Sequence, residues 1–449
     1  MIQHLIIGGS DAGISAALRM KEIDPKAAVT LMVADAFPNF SICGLPFYLS
    51  GEVPDWSTLA HRTVEEITKH NIDLLLDHQA LIIDPRAKLV QVRSSNGNHR
   101  LIGYDKLLIA TGAESIKPPI EGLENPGVFF LRWVDDSFAI KRFMDQQHPK
   151  QAVIIGGGYI GLEMADALTH QGMTVTLLEF APELLTTLDP ALGGLVRAEL
   201  KSKGVRVITG QAVQRISRND KKLMVHAASG ETESADMVLV AAGARPSTEL
   251  AQTAGIGLGV GKAIQVDRNM ATPEEDIWAA GDCVQTWHRV LERYVYMPLG
   301  TTAHKQGRVA GENMLGGVCQ FQGSLGTQVV KVLDRVAART GLRDKEAAEA
   351  GFKPLTVSLT SWDHKVYYPG AKELHIRLTG DRSTGRLLGA QLVGHRVSEV
   401  SKRLDIVAAA LYNGMAVKEI CDLDLSYTPP LSSPWDPVQM AAMEWCLKR

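Results

Sequence analysis

Two glycine-rich segments have the spacing that binds a dinucleotide, and the second segment is complete. Residues 156–161 read GGGYIG, a full G-x-G-x-x-G between a predicted strand and a predicted helix. The first glycine permits a tight turn, the second lets a pyrophosphate approach, and the third lets helix and strand pack closely. Glu179 ends the next predicted strand, 18 residues after Gly161. An acid at this position accepts a hydrogen bond from the ribose 2′-hydroxyl. Because no Lys or Arg follows in FAPELL, we predict NADH in preference to NADPH.

The first glycine segment is imperfect. Residues 8–13 read GGSDAG, with Ser10 in place of the middle glycine. Val33 and Asp35 lie 20 and 22 residues after Gly13, and strand periodicity places both on one face. Two interpretations follow: Asp35 binds the ribose from a displaced position, or backbone and water alone bind it.

The elements around these segments repeat. Each segment follows an apolar strand and precedes a helix and a second strand, VTLMVAD at 29–35 and VTLLEF at 175–180. Two such βαβ units indicate a duplicated dinucleotide-binding half-fold. From about residue 326 the pattern changes to mixed strands and helices, which predicts an α+β domain.

Composition narrows the class of protein. The 449 residues are 45% apolar and 22% charged, with a formal net charge of −3, so there is no basic footprint for nucleic acid. No uncharged apolar stretch approaches 18 residues, which predicts no membrane span, and the N-terminus is typical of a strand rather than a signal peptide. The five cysteines are odd in number and contain no CxxC, which argues against a disulfide framework and a metal site. We expect a cytoplasmic enzyme.

The two unequal loops, together with ATGA at 110–113 and IWAAGDC at 277–283, resemble the FAD-dependent pyridine nucleotide-disulfide oxidoreductases. The resemblance covers essentially the whole chain. It implies that Thr111 and Gly112 lie near the FAD diphosphate, that Asp282 binds a ribityl hydroxyl, and that residues 297–317 run beneath the flavin. The motifs and the resemblance together assign cofactor contacts to Gly8, Ser10, Asp11, Ala12, Gly13, Asp35, Ala110, Thr111, Gly112, Arg132, Gly281, Asp282, Leu299, Thr301, Ala303, Gly156, Gly158, Tyr159, Ile160, Gly161, Glu163, Glu179 and Gly243.

The stretch NFSICGLPFY at 39–48 contains one cysteine, Cys43. It resembles the single-cysteine branch of that family, namely coenzyme A-disulfide reductases, NADH-dependent persulfide reductases, NADH peroxidases and NADH oxidases. A thiol at a helix N-terminus has a lowered pKa, so we expect Cys43 to be largely thiolate at neutral pH. Cys283, Cys319 and Cys421 fit buried packing roles, and Cys446 is either a resolving thiol or, in the favoured interpretation, an ordinary helix residue.

Other motifs favour the reductases within this branch. The peroxidases and water-forming oxidases usually carry histidine where this chain has Asp11, whereas CGLPFY resembles the CGLPY of the disulfide and persulfide reductases. HKVYYPG at 364–370 and LSYTPP at 425–430 resemble motifs whose tyrosines reach the cysteine from the partner subunit. This resemblance makes Tyr367 and Tyr427 catalytic candidates, with interface aromatics as the alternative.

Coenzyme A recognition has weaker support. Reductases of that group carry basic residues on the first helix, near the coenzyme A phosphates. Arg19 and Lys21 are available here, but Glu22 is unfavourable. A solvated helix face explains these charges equally well, so the thiol substrate stays open.

We therefore predict an α/β homodimer with two Rossmann-like domains and a C-terminal α+β dimerisation domain. The expected spans are an FAD domain at 1–115 and 246–325, an NADH domain at 116–245, and a dimerisation domain at 326–449. In the expected reaction Tyr159 swings aside for NADH, Glu163 lies near the nicotinamide, and Cys43 attacks a small disulfide, persulfide or polysulfide. The alternatives are an NADH oxidase or peroxidase acting through a Cys43 sulfenic acid, and a non-enzymatic NADH-sensing flavoprotein.

Overall fold

The first part of the chain forms the core of a parallel sheet. The computed structural model describes residues 2–220 and 222–449. Apolar strands such as QHLII are buried on both faces, as parallel strands between helices require. The elements are β1 (Gln3–Ile7), α1 (Asp11–Ile23), β2 (Ala28–Met32), α2 (Leu45–Ser50), α3 (Val64–Lys69), β3 (Asp73–Leu75), β4 (His78–Asp84), β5 (Leu89–Ser94), β6 (His99–Gly103), β7 (Lys106–Ile109) and β8 (Ala113–Ser115).

The second part repeats this plan. A five-stranded parallel sheet has the order β12-β11-β10-β16-β9, and β13, β14 and β15 form an antiparallel sheet. The elements are β9 (Val128–Phe129), α4 (Val134–Gln147), β10 (Gln151–Ile155), α5 (Tyr159–His170), β11 (Thr174–Glu179), α6 (Pro190–Ser202), β12 (Arg206–Thr209), β13 (Val213–Asn219), β14 (Lys222–Ala227), β15 (Thr232–Ala235), β16 (Met237–Val240) and β17 (Ala244–Pro246).

The chain then returns to the first sheet, whose order is β18-β7-β1-β2-β3. On the way, β17 pairs antiparallel with β8. Helix α8 packs closely on α1. Gly307 and Gly311 permit this approach, because a Cβ on either would collide with the α1 backbone. The elements are α7 (Glu249–Thr253), β18 (Ile277–Ala279), β19 (Thr286–His288), β20 (Arg293–Val295) and α8 (Gly300–Met314).

The last part is an antiparallel sheet of order β21-β22-β25-β24-β23 covered by helices. Its core includes the fully buried Trp445. The elements are β21 (Gln328–Val332), β22 (Arg335–Gly341), α9 (Asp344–Glu349), β23 (Pro354–Trp362), β24 (Glu373–Asp381), β25 (Leu387–His395), α10 (Val400–Tyr412), α11 (Val417–Cys421) and α12 (Pro437–Lys448).

The predicted α/β class with a C-terminal α+β unit is confirmed. The expected domain boundaries stay predictions. Among the described residues, no helix has the length and apolarity needed to cross a membrane.

Candidate active site

A cavity of about 2210 Å³ runs from the carboxyl end of β1 to that of β10. Parallel sheets bind ligands at this edge. Gly13 and Gly161 lie outside the lining, where each packs its helix against the preceding glycine turn. The predicted site residues that line the cavity are Gly8, Ser10, Asp11, Ala12, Asp35, Cys43, Ala110, Thr111, Gly112, Arg132, Gly156, Gly158, Tyr159, Ile160, Glu163, Glu179, Gly243, Gly281, Asp282, Leu299, Thr301 and Ala303.

The second glycine loop presents backbone N–H groups at the start of α5. Gly156 has φ +113°, and a Cβ there would collide with the Ala241 carbonyl. Glu179 accepts hydrogen bonds from the N–H of Gly157 at 2.5 Å and of Ala181 at 2.6 Å. These two bonds hold the carboxylate beside the loop, at the end of β11.

The first loop has the same turn but a different strand end. Gly8 has φ +111°, and a Cβ there would collide with the Ala110 carbonyl. Val33 packs against Gly9, while Asp35 lies further along and accepts a hydrogen bond from the Phe37 N–H at 2.8 Å. Asp35 thus lines the cavity with one carboxylate oxygen engaged in its own turn.

An ion pair, Arg132 with Asp282, lies in the wall of the cavity. Arg132 donates to the Asp282 carboxylate at 2.8 Å and to the Ala113 carbonyl at 3.1 Å, and both side chains are mostly buried. The Thr111 hydroxyl donates to the Ser247 carbonyl at 2.7 Å. These contacts join segments that are far apart in the sequence.

Cys43 lies in a short 3₁₀ turn, Ile42–Gly44, directly before α2, and its thiol is exposed to the cavity. The expected lowered pKa is wrong. Desolvation by the cavity walls raises the pKa of Cys43, and the nearby carboxylates of Glu163 and Asp11 raise it further. Helix α2 has only six residues, so its dipole is a weak opposing influence.

Glu163 lies one turn after Tyr159 on α5. Burial, and then the neighbouring Asp166, raise the pKa of Glu163 to about 7, while Lys331 lowers it. The Tyr159 hydroxyl lies 3.4 Å from that of Thr187. The site thus holds a carboxyl group that changes charge near neutral pH, next to the ring that we predict to move for NADH.

His304 on α8 also lines the cavity and was not predicted from the sequence. Its Nε2 lies 3.4 Å from the Asp11 carboxylate, and its Nδ1 lies 2.7 Å from the Ser15 hydroxyl. An imidazole therefore stands beside Asp11, the position at which peroxidases were expected to carry histidine. The signal was present in TTAHKQG at 301–307, but only the packing of α8 on α1 connects the two residues.

The glycine turns fit the cofactors of a flavin-dependent NAD(P)H enzyme. At the first glycine of each turn there is no space for a side chain. At Gly158, in contrast, a Cβ would meet no protein atom within 4 Å. Open space above a helix N-terminus suits a pyrophosphate, because the free N–H groups and the dipole favour anions. The residues of the first loop would hold the FAD diphosphate, and those of the second the NAD(P)H diphosphate.

Tyr367 and Tyr427 do not line the cavity. They lie on the surface of the C-terminal domain, 74% and 44% exposed, and hydrogen-bond to each other, which raises the pKa of Tyr367. Four other apolar side chains near them in sequence are also exposed. We call this set the aromatic surface: Val366, Tyr367, Tyr368, Tyr427, Leu431 and Trp435.

Two interpretations of the α1 cations were open, coenzyme A contacts and a solvated helix face; Lys21 fits neither, and Arg19 is already paired. Lys21 is buried and donates to the Ala27 carbonyl at 2.5 Å. Arg19 pairs with Glu312 at 2.7 Å and with Glu22 at 3.1 Å. Neither side chain presents a free cation to a phosphate.

Basic residues instead surround a second cavity of about 700 Å³. It shares His61 and His304 with the cavity that contains Cys43, so the two adjoin. Asn39 is buried at its edge, with neither side-chain polar atom hydrogen-bonded. The lining consists of Asn39, His61, Arg62, Glu66, Lys69, His70 and His304.

Comparison with known proteins identifies the family to which this chain belongs. Residues 2–307 match the model of the pyridine nucleotide-disulphide oxidoreductase family, and residues 327–437 match that family's dimerisation domain. The chain is 35% identical to an NAD(P)H sulfur oxidoreductase (CoA-dependent) from Pyrococcus abyssi, covering 98% of this chain and 97% of the other. It is 27% identical to a coenzyme A disulfide reductase from Staphylococcus haemolyticus, over 98% of each chain.

A solved structure supports the same family assignment. The NAD-dependent persulfide reductase from A. fulgidus superposes with a TM-score of 0.95 at 38% identity, covering all of this chain and 84% of that one. The resemblance drawn from the motifs is confirmed, and so is the prediction of an enzyme. This chain is an oxidoreductase and belongs to the pyridine nucleotide-disulphide oxidoreductase family, whose members use FAD and NAD(P)H.

Proposed function

We propose that this protein uses NADH to reduce a low-molecular-weight disulfide, persulfide or polysulfide, with Cys43 as the reacting sulfur. The observation that carries the proposal is the position of Cys43. Of the cysteines in the described residues, it alone lines the cavity between the two dinucleotide loops. A single sulfur at this place requires the substrate to supply the second sulfur of the disulfide.

The Cys43 thiolate attacks a substrate sulfur, which forms a mixed disulfide and expels a thiolate. FAD, when bound, supplies the two electrons of NADH that restore both sulfurs to thiolates. The carboxylates of Glu163 and Asp11 oppose a free thiolate at Cys43, so they favour the mixed disulfide, in which that negative charge is absent.

The second cavity supports coenzyme A as the carrier of the substrate sulfur. Its cations are Arg62 and Lys69, its one carboxylate is Glu66, and it adjoins the Cys43 cavity. A thiol substrate with several phosphates would place them here by charge complementarity. The buried amide of Asn39 offers a donor and an acceptor that the protein leaves unused.

Substitution of Cys43 tests the function. We expect Cys43→Ser to keep its FAD and its reduction by NADH, but to lose NADH-dependent reduction of coenzyme A disulfide and of polysulfide. Cys319→Ser is the control and should keep both activities. NADH consumption with H₂O₂ and with O₂ is measured side by side. Full sulfur-substrate activity in Cys43→Ser would contradict the proposal, and faster turnover with O₂ or H₂O₂ would favour the oxidase or peroxidase alternative.

The carrier is tested separately. Arg62→Ala with Lys69→Ala should raise KM for coenzyme A disulfide about tenfold, as loss of roughly 1.4 kcal/mol of phosphate binding requires. KM for polysulfide, which has no phosphates, should stay the same. Equal effects on both substrates would remove the second cavity from the binding site.

We also propose a homodimer in which the aromatic surface reaches the partner's Cys43 cavity. A phenol there would donate a proton to the departing thiolate. Cys43→Ser and Tyr367→Phe/Tyr427→Phe proteins, each inactive alone, should regain activity when their subunits exchange. Such heterodimers contain one site with a wild-type cysteine and both tyrosines. Exchange without recovery would mean that the tyrosines do not act across the interface.

A further inference from the structure

Two cysteines outside the active site meet in the C-terminal domain. Cys421 ends α11 and Cys446 lies near the end of α12. The two helices pack on each other, and the Cys446 thiol is a near neighbour of the Cys421 thiol. They are 25 residues apart in the sequence, from which we expected a buried packing role for Cys421 and either a resolving thiol or an ordinary helix residue for Cys446. The fold brings them together as a thiol pair.

The packing of α12 on α11 holds this pair in place. Gln439 donates from its amide to the carbonyls of Leu423 at 2.7 Å and Cys421 at 3.2 Å. Cys446 lies seven residues after Gln439, two helical turns along the same face. Trp445, next to Cys446, is buried and donates to the Leu355 carbonyl at 2.7 Å, which fixes the rotation of α12.

The two sulfurs differ in access. Cys446 is exposed and Cys421 is half-buried. Burial, together with the adjoining Cys446, raises the pKa of Cys421 to about 11, so Cys446 is the sulfur that reacts first. Cys446 lies about 14 Å along α12 from Pro437, at 1.5 Å per residue. It is therefore remote from the end of α12 that adjoins Trp435 and the aromatic surface.

We propose that Cys421 and Cys446 are a second redox site, a dithiol that small disulfides oxidise to an intrachain disulfide. The Cys446 thiolate attacks one sulfur of the small disulfide and expels a thiolate. The Cys421 thiolate then attacks the Cys446 sulfur and expels the second thiolate. Both cysteines lose their protons, and the small disulfide is reduced by two electrons.

This site would join both ends of the segment that carries Tyr427. Residues 422–445 lie between the two sulfurs, and this segment contains the LSYTPP motif. The choice of oxidant rests on the proposed function, because a small disulfide is the proposed substrate. The pair would thus be oxidised when substrate accumulates and reduced when thiol prevails.

The experiment uses the full-length Cys43→Ser protein, so that the active-site sulfur cannot react. The chain has five free cysteines, which leaves four in this variant. After incubation with glutathione disulfide, the protein is denatured and alkylated, and its mass is measured. We expect alkylation at two sites instead of four, loss of two hydrogens without added glutathione, and one crosslinked peptide pair containing Cys421 and Cys446. Dithiothreitol should restore all four sites.

Two further variants in the same background make the outcome decisive. Adding Cys319→Ser should leave the crosslink intact, whereas adding Cys446→Ser should abolish it. Four alkylated sites after oxidation, or glutathione on Cys446 without a crosslink, would overturn the proposal. Crosslinking in a protein whose wild type reduces no disulfide with NADH would contradict the proposed function and leave this inference standing.

Discussion

The two glycine loops share a backbone. Gly8 and Gly156 have φ of +111° and +113°. The N-cap residues of the two helices also agree, with φ −83° and ψ −160° at Ser10 and φ −81° and ψ −170° at Gly158. The serine therefore causes no departure from the turn. The duplicated half-fold preserves the turn, and the middle glycine is conformationally dispensable.

The loops differ at the end of the second strand. Val33 packs against Gly9 in the place where Glu179 packs against Gly157. The carboxylate of Glu179 is bonded to its loop, whereas Asp35 lies two residues past Val33 and bonds its own turn. From this comparison we propose that the turn binds the diphosphate in both halves, while the strand end selects the ribose in only one.

Alanine at the first glycine of each loop should have the largest effect and should separate the two halves. Each position combines a left-handed φ with a collision against a carbonyl, which costs roughly 3 kcal/mol or about 100-fold in affinity. We expect Gly8→Ala to purify with little FAD, measured by flavin absorbance. Gly156→Ala should keep FAD but require about 100-fold more NADH for flavin reduction.

Gly204→Ala is the matched control, because its φ is +86° but a Cβ there meets nothing within 4 Å. It should keep both FAD and NADH affinity. FAD loss from Gly156→Ala and not from Gly8→Ala would reverse the assignment of the loops.

Glu179→Gln should have the next largest effect. Glutamine keeps one bond to the loop N–H groups but loses the charge that binds a ribose hydroxyl and repels a 2′-phosphate. We expect the ratio of kcat/KM for NADH to that for NADPH to fall about 10- to 100-fold, the equivalent of 1.5–3 kcal/mol. Glu183→Gln, which removes an acid paired with Arg197 at 2.9 Å, is the control. Equal use of both nucleotides by the wild type would contradict the role of Glu179.

These differences show what the sequence could predict. The glycine turns, the strand ends and the exposed aromatic motifs are local features, because each depends on residues that are close in the chain. The pKa of Cys43 was predicted in the wrong direction because the folded chain desolvates the thiol and because Glu163 and Asp11 reach it from two separate helices. Lys21 was interpreted as either a phosphate ligand or a solvated charge, because nothing in the pattern shows that its ammonium group turns inward to the Ala27 carbonyl.

Exchanging the middle residues of the loops should have a smaller effect. A Cβ at Gly158 meets no protein atom, so Gly158→Ser should keep the wild-type Tm. It should raise KM for NADH about tenfold, roughly 1.4 kcal/mol, because only the nucleotide meets the new side chain. Ser10→Gly should keep its FAD, because Ser10 makes no side-chain cap bond. A large fall in Tm for Gly158→Ser would mean that this glycine serves the fold.

The smallest effect that we expect is on the reactivity of Cys43, when one of its two neighbouring carboxylates is neutralised. Glu163 and Asp11 lie on α5 and α1, and the charge of Glu163 contributes more than that of Asp11 to the raised pKa of Cys43. Below pH of about 7 Glu163 is largely neutral. At the higher pH where the thiol titrates, it is ionised and opposes the thiolate.

Glu163→Gln should therefore lower the pKa of Cys43 and speed its alkylation by iodoacetamide in mildly alkaline buffer, by about two- to fivefold. Asp11→Asn should act in the same direction and less strongly. Both variants should still titrate above an ordinary thiol, because desolvation is the largest cause of the shift. The measurement is the pH dependence of the alkylation rate in the FAD-loaded enzyme without NADH. An unchanged profile in Glu163→Gln would mean that the cavity walls alone set the reactivity of Cys43. A larger change in Asp11→Asn would instead make the first helix the stronger electrostatic neighbour of the sulfur.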